Sequence, residues 1–226
     1  MSADEAGNRA PVSLVLFGAP GSGKGTQAKM LSGELGVPHI STGDMLREHI
    51  ETGDSIGREI SNLLRSGGLV PDAMVNLLVE RRLAQPDCAK GFILDGYPRT
   101  RQQAEKVFGW MDGRGIREVV IHLIVDYNKI IARLTSRRQC FSCGALYNLV
   151  TQPPRVEGIC DRCGDSVGSR DDDTEPVIRR RLEAYEAQTR PVLDYFVETG
   201  RTLVEIDASE SAPAEVMSEI RRRMAA

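Results

Sequence analysis

Short runs of apolar residues alternate with longer segments of helical periodicity along most of this chain. The runs are rich in β-branched residues and predict five buried strands, at 12–17, 37–40, 91–94, 119–125 and 202–206. The segments between them predict helices at about 23–35, from 42 or 44 onward, and at 54–65, 71–83, 101–111, 128–136, 176–198 and 214–224. Strands that alternate with helices predict an α/β fold, in which helices cover both faces of a parallel sheet.

Several predicted helices begin with residues suited to that position. Thr42 or Asp44 would cap the second helix and Asp54 the third, because their side chains can accept a hydrogen bond from a first-turn N–H. Pro71 opens the fourth helix, and Asp72 lies favourably in its first turn.

The segment 139–168 interrupts this alternation. It is rich in Cys, Gly, Pro and Asp and has no helical period, which predicts a small inserted module of about thirty residues. Residues 1–11 are polar and acidic, which predicts a disordered tail. We therefore expect one folded unit over 12–226, without internal repeats.

Composition narrows the function classes. The 226 residues are 41% hydrophobic and 27% charged, which are ordinary values for a globular chain. The net charge of −3 disfavours a general nucleic-acid coating protein, because such proteins are normally basic. No apolar run reaches the roughly 18 residues of a membrane helix, and the N-terminus has no signal-peptide core. We expect a cytoplasmic protein with no membrane or nucleic-acid partner.

A glycine-rich segment with a lysine follows the first predicted strand: Gly18-Ala-Pro-Gly-Ser-Gly-Lys24-Gly-Thr26. Between a strand and a helix, the backbone N–H groups of such a loop converge on phosphate, and the helix dipole adds to the attraction. Lys24 would supply positive charge to the transferring phosphates. An ordinary glycine-rich turn would not combine this spacing, the lysine and both flanking elements.

The loop departs from the general pattern at Gly25, where Ser or Thr usually binds Mg²⁺ through its hydroxyl. Magnesium would then be held by the nucleotide, by water and by a carboxylate elsewhere. Asp95 is the candidate, because it ends a predicted buried strand and ligands of open α/β sheets bind at such ends. The alternative for Asp95 is a simple helix-capping carboxylate.

Three further motifs follow in order: His39-Ile-Ser-Thr42-Gly-Asp44-Met-Leu-Arg47, Leu94-Asp95-Gly96-Tyr97-Pro98-Arg99 and Arg170-Asp-Asp172-Asp173. From about residue 12 to the C-terminus, the chain resembles the adenylate kinase family, in its long type whose lid binds zinc through four cysteines. The resemblance implies the P-loop nucleoside monophosphate kinase fold, with a five-stranded parallel sheet in the order 2-3-1-4-5. It implies the reaction Mg·ATP + AMP ⇌ 2 ADP, with ATP, AMP and ADP as nucleotide partners.

The same resemblance divides the chain into a core (12–40, 69–137 and 170–226), an AMP-binding segment (41–68) and a lid (138–169). We expect a monomer. ATP would be bound by Gly21, Ser22, Gly23, Lys24, Gly25, Thr26, Arg133, Arg137, Leu146 and Tyr147. AMP would be bound by Thr42, Arg47, Gly68, Leu69, Val70, Gly96, Tyr97, Pro98, Arg99, Gln103, Arg170 and Arg181. The catalytic residues would be Lys24, Arg99, Arg137, Arg170 and Arg181, with Asp95 on Mg²⁺ through water and Asp172 and Asp173 accompanying lid closure.

The chemistry of these residue types supports the set independently. Phosphoryl transfer depends on in-line positioning and on positive charge around the equatorial oxygens. Arginine suits this task because its planar guanidinium binds phosphate bidentately. Arg99, at a predicted strand end, is the arginine least expected to be a solvated surface charge. Arg179 and Arg180 are expected on the surface.

Four of the five cysteines form two C-x2-C pairs, Cys140/Cys143 and Cys160/Cys163, which are separated by 16 residues. This spacing is typical of a zinc site with four cysteine ligands, and so short an insert cannot bury enough apolar surface to fold alone. We therefore expect a structural Zn²⁺ with no open position for catalysis. Unmetallated thiols, two disulfides and bound iron are the alternatives. No functional role is assigned to Cys88, His39, His49, His122 and Trp110.

Two features favour AMP over a pyrimidine monophosphate. Thr42 stands where the related UMP/CMP kinases commonly have alanine, and the insert is longer than their short lid. One alternative is a kinase of the same fold that uses GTP, UMP or CMP. Another is a zinc-ribbon nucleic-acid binder, which requires a basic, aromatic-rich ribbon. The insert instead carries three acidic residues and only two aromatic ones.

Overall fold

The computed structural model describes residues 12–224, so the tail expected at 1–11 lies outside the described residues. The strands are β1 (Val12–Phe17), β2 (His39–Ser41), β3 (Ile93–Asp95), β4 (Arg117–Ile124), β5 (Arg137–Cys140), β6 (Leu146–Asn148), β7 (Val167–Gly168) and β8 (Leu203–Asp207). The helices are α1 (Lys24–Leu35), α2 (Thr42–Thr52), α3 (Ser55–Ser66), α4 (Asp72–Leu83), α5 (Arg101–Asp112), α6 (Tyr127–Thr135), α7 (Glu175–Ala184), α8 (Val192–Glu198) and α9 (Pro213–Met224).

Five of the strands form one parallel sheet in the order β2-β3-β1-β4-β8. β1 lies in the middle, with Val15 opposite Leu94 of β3 and Val120 of β4. These strands are largely apolar because helices cover both faces of the sheet. The predicted α/β fold is confirmed, and so is the strand order that the resemblance implies.

Packed aromatic rings join the sheet to two helices. Phe196 of α8 contacts Phe17 of β1 and Phe108 of α5, with ring centroids 5.3 and 5.5 Å apart in edge-to-face orientation. Phe108 and Phe196 are completely buried. This core holds the carboxyl ends of β1 and β3 at one edge of the sheet, where the glycine-rich loop begins and Asp95 ends its strand.

The N-cap of α2 differs from the expectation. Ser41 caps this helix, and its hydroxyl accepts a hydrogen bond from the N–H of Asp44. Ser41 has the extended backbone that an N-cap requires, whereas Thr42 is already helical. The choice of Thr42 or Asp44 is therefore wrong, because β2 runs into α2 without a linker. Asp54 caps α3 as expected, by accepting from the N–H of Gly57.

The single helix expected over 176–198 is divided. α7 is followed by a π-helical turn over Tyr185–Thr189 before α8 begins. The N–H of Arg190 donates to the carbonyl of Tyr185, 2.8 Å away. Pro191 then has no N–H with which to continue the helical hydrogen bonds. Pro191 therefore explains why the helix breaks here, even though the helical pattern of the sequence continues across this position.

The insert folds as a separate antiparallel sheet in the order β6-β5-β7. Its buried apolar interior consists of Cys140, Tyr147 and Cys160. So small an interior supplies little hydrophobic stabilisation, which agrees with a module held together by a metal ion.

Among residues 12–224, no helix combines the length and the apolar character needed to cross a bilayer.

Candidate active site

The loop between β1 and α1 surrounds the ammonium group of Lys24. Its Nζ donates hydrogen bonds to the carbonyls of Gly18 and Ala19, at 2.7 and 2.8 Å. Gly18 has a φ of 138°, and a Cβ there would lie 2.5 Å from the carbonyl oxygen of Leu123. Backbone angle and space therefore both require glycine. The expected ATP-phosphate residues, 21–26, form the end of this loop and the first turn of α1.

Asp95 lies beside this loop. Its Oδ2 is 3.1 Å from Nε2 of His39 and would be 3.3 Å from a Cβ at Gly25. A side chain at residue 25 would crowd the carboxylate, which gives a local reason for glycine at that position. Burial lowers the pKa of Lys24 to about 8, and the Asp95 carboxylate opposes this shift. The ammonium and the carboxylate are thus close enough to interact electrostatically.

A cleft lies where α2 and α3 face the segment after β3. Seven residues of the expected AMP-binding set line it together: Thr42, Gly68, Leu69, Val70, Gly96, Arg99 and Gln103. The apolar side chains of Leu46, Leu64 and Val75 complete the lining. An apolar cleft with a few fixed polar groups suits a flat base that must be oriented.

Hydrogen bonds fix the polar side chains of this cleft. The amide oxygen of Gln103 accepts from the N–H of Arg99 at 2.7 Å, and its Nε2 donates to Asp72 at 2.8 Å. The Asp72 carboxylate only accepts, so the orientation of the amide is determined. The carbonyl of Gly96 accepts from Arg99 Nε at 2.7 Å and from Thr42 Oγ1 at 2.8 Å. One N–H and one lone pair of the Gln103 amide remain for a ligand.

Two arginines and two aspartates pair at the base of the insert. Arg137 of β5 makes a bidentate pair with Asp173, at 2.7 and 2.5 Å. Arg181 of α7 lies 2.9 Å from Asp172 and 3.3 Å from Asp173, whose side chain is only 1% exposed. The carboxylates expected to accompany lid closure therefore hold two of the expected phosphate-binding guanidinium groups in place.

The cations of the site lie close enough to oppose one another's charge. Burial, reinforced by Arg181, lowers the pKa of Arg99 to about 10. Burial, reinforced by Arg137, lowers the pKa of Arg170 to about 9. Burial also lowers the pKa of Arg181, although Asp172 opposes the shift. Guanidinium groups stay protonated at neutral pH, so a polyphosphate would be attracted to this cluster.

Other expected site residues make contacts of their own. Arg133 donates to the carbonyls of residues 208 and 209, at 2.7 and 3.0 Å, and so ties α6 to the loop after β8. Tyr97 and Pro98 are buried, and the Tyr97 hydroxyl donates to Oδ1 of Asn76 at 2.6 Å. Tyr97 thus supports the cleft from behind, and its ring does not line it.

Two neighbouring residues of the insert point in different directions. Cδ1 of Leu146 lies 3.9 Å from the position of a Cβ at Gly25, so this side chain lies over the loop. The hydroxyl of Tyr147 instead lies 3.3 Å from Sγ of Cys160 and accepts from the N–H of Asp161 at 2.8 Å. A hydrogen bond with that hydroxyl lowers the pKa of the Cys160 thiol. In contrast, although a backbone hydrogen bond at Asp165 opposes the change, the neighbouring thiols raise the pKa of Cys163.

The four cysteines of the insert form a compact cluster. All four Sγ atoms lie within 4.8 Å of one another, and the Cys140–Cys163 and Cys143–Cys160 distances are 3.5 and 3.6 Å. A tetrahedron with Zn–S bonds of about 2.3 Å places its sulfurs about 3.8 Å apart, so the cluster fits a tetrahedral ion. The sulfurs are too far apart for disulfide bonds, which are about 2.05 Å long.

The two C-x2-C turns have the same backbone hydrogen bonds. The N–H of Gly144 donates to the carbonyl of Cys140 at 3.0 Å, and the N–H of Gly164 donates to that of Cys160 at 2.9 Å. Both glycines have positive φ angles, 66° and 78°. The pattern C-x2-C-G therefore specifies these turns more fully than the cysteine spacing alone.

The sequence patterns assign no role to His39 and treat Asp44 only as a helix cap or a motif member. The structure places His39 on the Asp95 carboxylate, and it places Asp44 against Arg47 and 3.9 Å from Arg170. Although burial opposes the change, Arg47 lowers the pKa of Asp44. Both residues belong to the motif that begins in β2, which pairs with the strand that ends at Asp95. Their place in that motif is the sequence feature that could have identified them as site residues.

Comparison with known proteins gives a consistent result. A family model described as Adenylate kinase matches residues 16–201. The chain is 47% identical over 206 residues to the adenylate kinase of Moorella thermoacetica, covering 91% of this chain and 94% of that protein. It is 44% identical over 216 residues to the adenylate kinase of Thermosipho melanesiensis, covering 93% and 100%. It is 46% identical over 213 residues to that of Methanocella arvoryzae, covering 92% and 98%.

Proposed function

The chain belongs to the adenylate kinase family, whose members are ATP:AMP phosphotransferases with the P-loop nucleoside monophosphate kinase fold, and from this premise we propose that it catalyses ATP + AMP ⇌ 2 ADP by direct in-line transfer. The observation that carries the proposal is electrostatic. Burial is the main cause of the lowered pKa of Lys24 in the phosphate loop, and the charges of Arg99 at the cleft and of Arg137 and Arg181 at the base of the insert lower it further. The loop and the cleft therefore face a common cationic centre.

In this proposal ATP binds the loop at 21–26, and AMP binds the cleft lined by Thr42 and Gln103. Arg99 lies at the cleft, where its backbone N–H donates to Gln103, and burial together with the like charge of Arg181 lowers the pKa of its guanidinium. The γ-phosphoryl group and the acceptor phosphate would meet at this point. Holding both nucleotides in one protein replaces an encounter in solution with a fixed geometry.

The residues act by position and charge. The two groups that accept hydrogen bonds from Lys24 are backbone carbonyls of the loop that would surround the phosphates. Phosphate oxygens bound in that loop could therefore replace them as acceptors. Arg137, Arg170 and Arg181 would stabilise charge on the equatorial oxygens of the transferring group. The attacking AMP phosphate oxygen is already anionic, so no general base is needed.

The donor set beside the loop also fits magnesium. Asp95 offers a hard carboxylate oxygen, and Gly25 has no side chain of its own that would crowd it. We propose that Asp95 holds Mg²⁺ through water. When bound with ATP, the ion supplies positive charge at the phosphate oxygens.

We further propose that residues 41–68 form the AMP-binding segment, that residues 138–169 form a zinc-bearing lid, and that the enzyme acts as a monomer. Contacts between the insert and the rest of the chain support the lid role. Leu146 lies over Gly25, and Arg170, which directly follows the insert, lies 3.9 Å from Asp44 of α2. Closure of this segment would exclude water, which would otherwise accept the phosphoryl group.

The activity is tested by measuring ADP formation from Mg·ATP with AMP, GMP, CMP or UMP, and by measuring ATP formation from ADP alone. We expect AMP-dependent ADP formation and the reverse reaction. Absence of both would overturn the proposal. GTP replacing ATP with equal kcat/KM would instead support the kinase of altered donor specificity.

One zinc ion per chain is expected, bound by Cys140, Cys143, Cys160 and Cys163. Cys143→Ser should reduce zinc content and lower Tm by at least about 5 °C, because the lid has little apolar interior of its own. Metal analysis and thermal unfolding measure both effects. Cys88→Ser is the matched control, since Cys88 lies outside the cluster, and it should keep the zinc. A folded, active protein with no bound metal ion would contradict the zinc site.

Lid closure is expected to compact the protein in solution. A two-headed ligand, in which five phosphates join two adenosines, spans both sites and should draw the arginines on each side together. Small-angle scattering should therefore show a smaller radius of gyration with this ligand than without it. AMP alone serves as the control, since it does not reach the phosphate loop. An unchanged radius at saturating ligand would count against the moving lid.

A further inference from the structure

Lys29 connects the phosphate-loop helix to the insert. Its Nζ donates a hydrogen bond to the carbonyl of Gly144, the glycine at the end of the first C-x2-C turn. Gly144 directly follows Cys143, and its own N–H donates to the carbonyl of Cys140. Lys29 belongs to α1, the helix that begins with Lys24. One side chain therefore joins the helix of the candidate catalytic lysine to the backbone of the cysteine cluster.

The charges around the Lys29 ammonium come from both parts of the molecule. The side chain of Lys29 remains exposed, but partial desolvation lowers its pKa, and the nearby Arg170 and Arg162 add to this effect. Asp44 and Cys143 act in the opposite direction. The Lys29 ammonium therefore lies on the carbonyl of Gly144, one residue from Cys143 of the cysteine cluster.

A bound metal ion determines the charge that Lys29 faces. The segment 138–169 contains three arginines and three acidic residues, whose charges balance. Four thiolates around one Zn²⁺ leave two uncompensated negative charges. The loaded centre would therefore give the insert its net charge, and it would lie beside the ammonium of Lys29.

We infer that Lys29 is a positioning residue through which the metal-loaded cysteine centre draws the lid onto α1. The inference rests on the proposed zinc-bearing lid and extends it, because the metal ion then contributes charge to closure as well as stability to the fold. Coupling between two sites is reciprocal, so a ligand that closes the lid also strengthens zinc binding.

The experiment uses the zinc-loaded full chain and the two-headed pentaphosphate ligand. Calorimetry at low and at high salt gives the ligand Kd for the parent, for Lys29→Met and for Lys29→Glu. We expect Lys29→Met to raise Kd about three- to fivefold and Lys29→Glu about tenfold at low salt, with both effects smaller at high salt. Lys106→Met is the matched control, because Lys106 pairs with Glu80 at 2.7 Å, outside the site, and it should leave Kd unchanged.

A second readout is the zinc affinity itself, measured by competition with a chromophoric chelator with and without the same ligand. In the parent and in Lys106→Met, the ligand should raise zinc affinity about three- to fivefold more than it does in Lys29→Met. Without the ligand, Lys29→Met should bind zinc somewhat more weakly than the parent, by a smaller factor than with the ligand.

Two results overturn the inference while leaving the proposed function intact. One is a Kd for Lys29→Glu within twofold of the parent value, in protein that holds one zinc ion. The other is the same ligand-dependent gain in zinc affinity for Lys29→Met and the parent. A parent protein that binds the ligand but no metal ion would overturn both the zinc lid and the role of Lys29.

Discussion

Replacing Lys24 with methionine is expected to lower kcat by at least about 1000-fold in a chain that still folds. Methionine keeps an unbranched stem, so the substitution mainly removes the ammonium group. Two loop carbonyls that accept from Lys24 at 2.7 and 2.8 Å lose this partner, a cost of about 1–3 kcal/mol if they stay dry. A loss of turnover far larger than the loss of stability would identify the charge as part of the reaction.

Steady-state ADP formation and thermal unfolding are the two measurements. Lys106→Met is again the control, because it removes a lysine charge from an ion pair with Glu80 outside the site. If kcat of Lys24→Met stayed within about tenfold of the parent value, the proposed role of the phosphate loop would be wrong.

AMP is expected to exceed CMP and UMP as phosphate acceptor by at least about 100-fold in kcat/KM. The polar groups of the cleft are held before any base arrives, since Gln103 is fixed between Arg99 and Asp72 and Thr42 is bonded to Gly96. A base without the matching edge would leave the free N–H and lone pair of Gln103 unpaired. An unpaired buried polar group costs enough to produce such discrimination.

Gln103→Leu tests the source of this selectivity. The variant should lower kcat/KM for AMP about tenfold or more and change kcat/KM for CMP little, so the ratio between them falls. Gln102→Leu is the matched control, because the neighbouring amide is exposed on the same helix. Comparable values for AMP and CMP in the parent enzyme would contradict an adenine-selective cleft.

The sequence alone was sufficient to identify those features that are formed by residues close together along the chain. The glycine-rich loop needs a strand, a tight turn and a helix within about fifteen positions, so its glycines and Lys24 identify it directly. The two C-x2-C pairs are equally local, and the four sulfurs do lie within 4.8 Å. The α/β alternation predicted the sheet because buried parallel strands are apolar runs.

Only the tertiary structure decided which distant polar groups meet. Arg137 and Asp173 are 36 residues apart, and Gln103 and Asp72 are 31 apart, so no short pattern records either pairing. The contacts of His39 with Asp95 and of Lys29 with Gly144 likewise depend on which elements pack together. Even the cap of α2 follows from tertiary placement, because pairing β2 with β3 keeps Ser41 extended while Thr42 enters the helix and reaches Gly96. Hydrophobic spacing determines which elements form, whereas the packing of those elements determines which charges face one another.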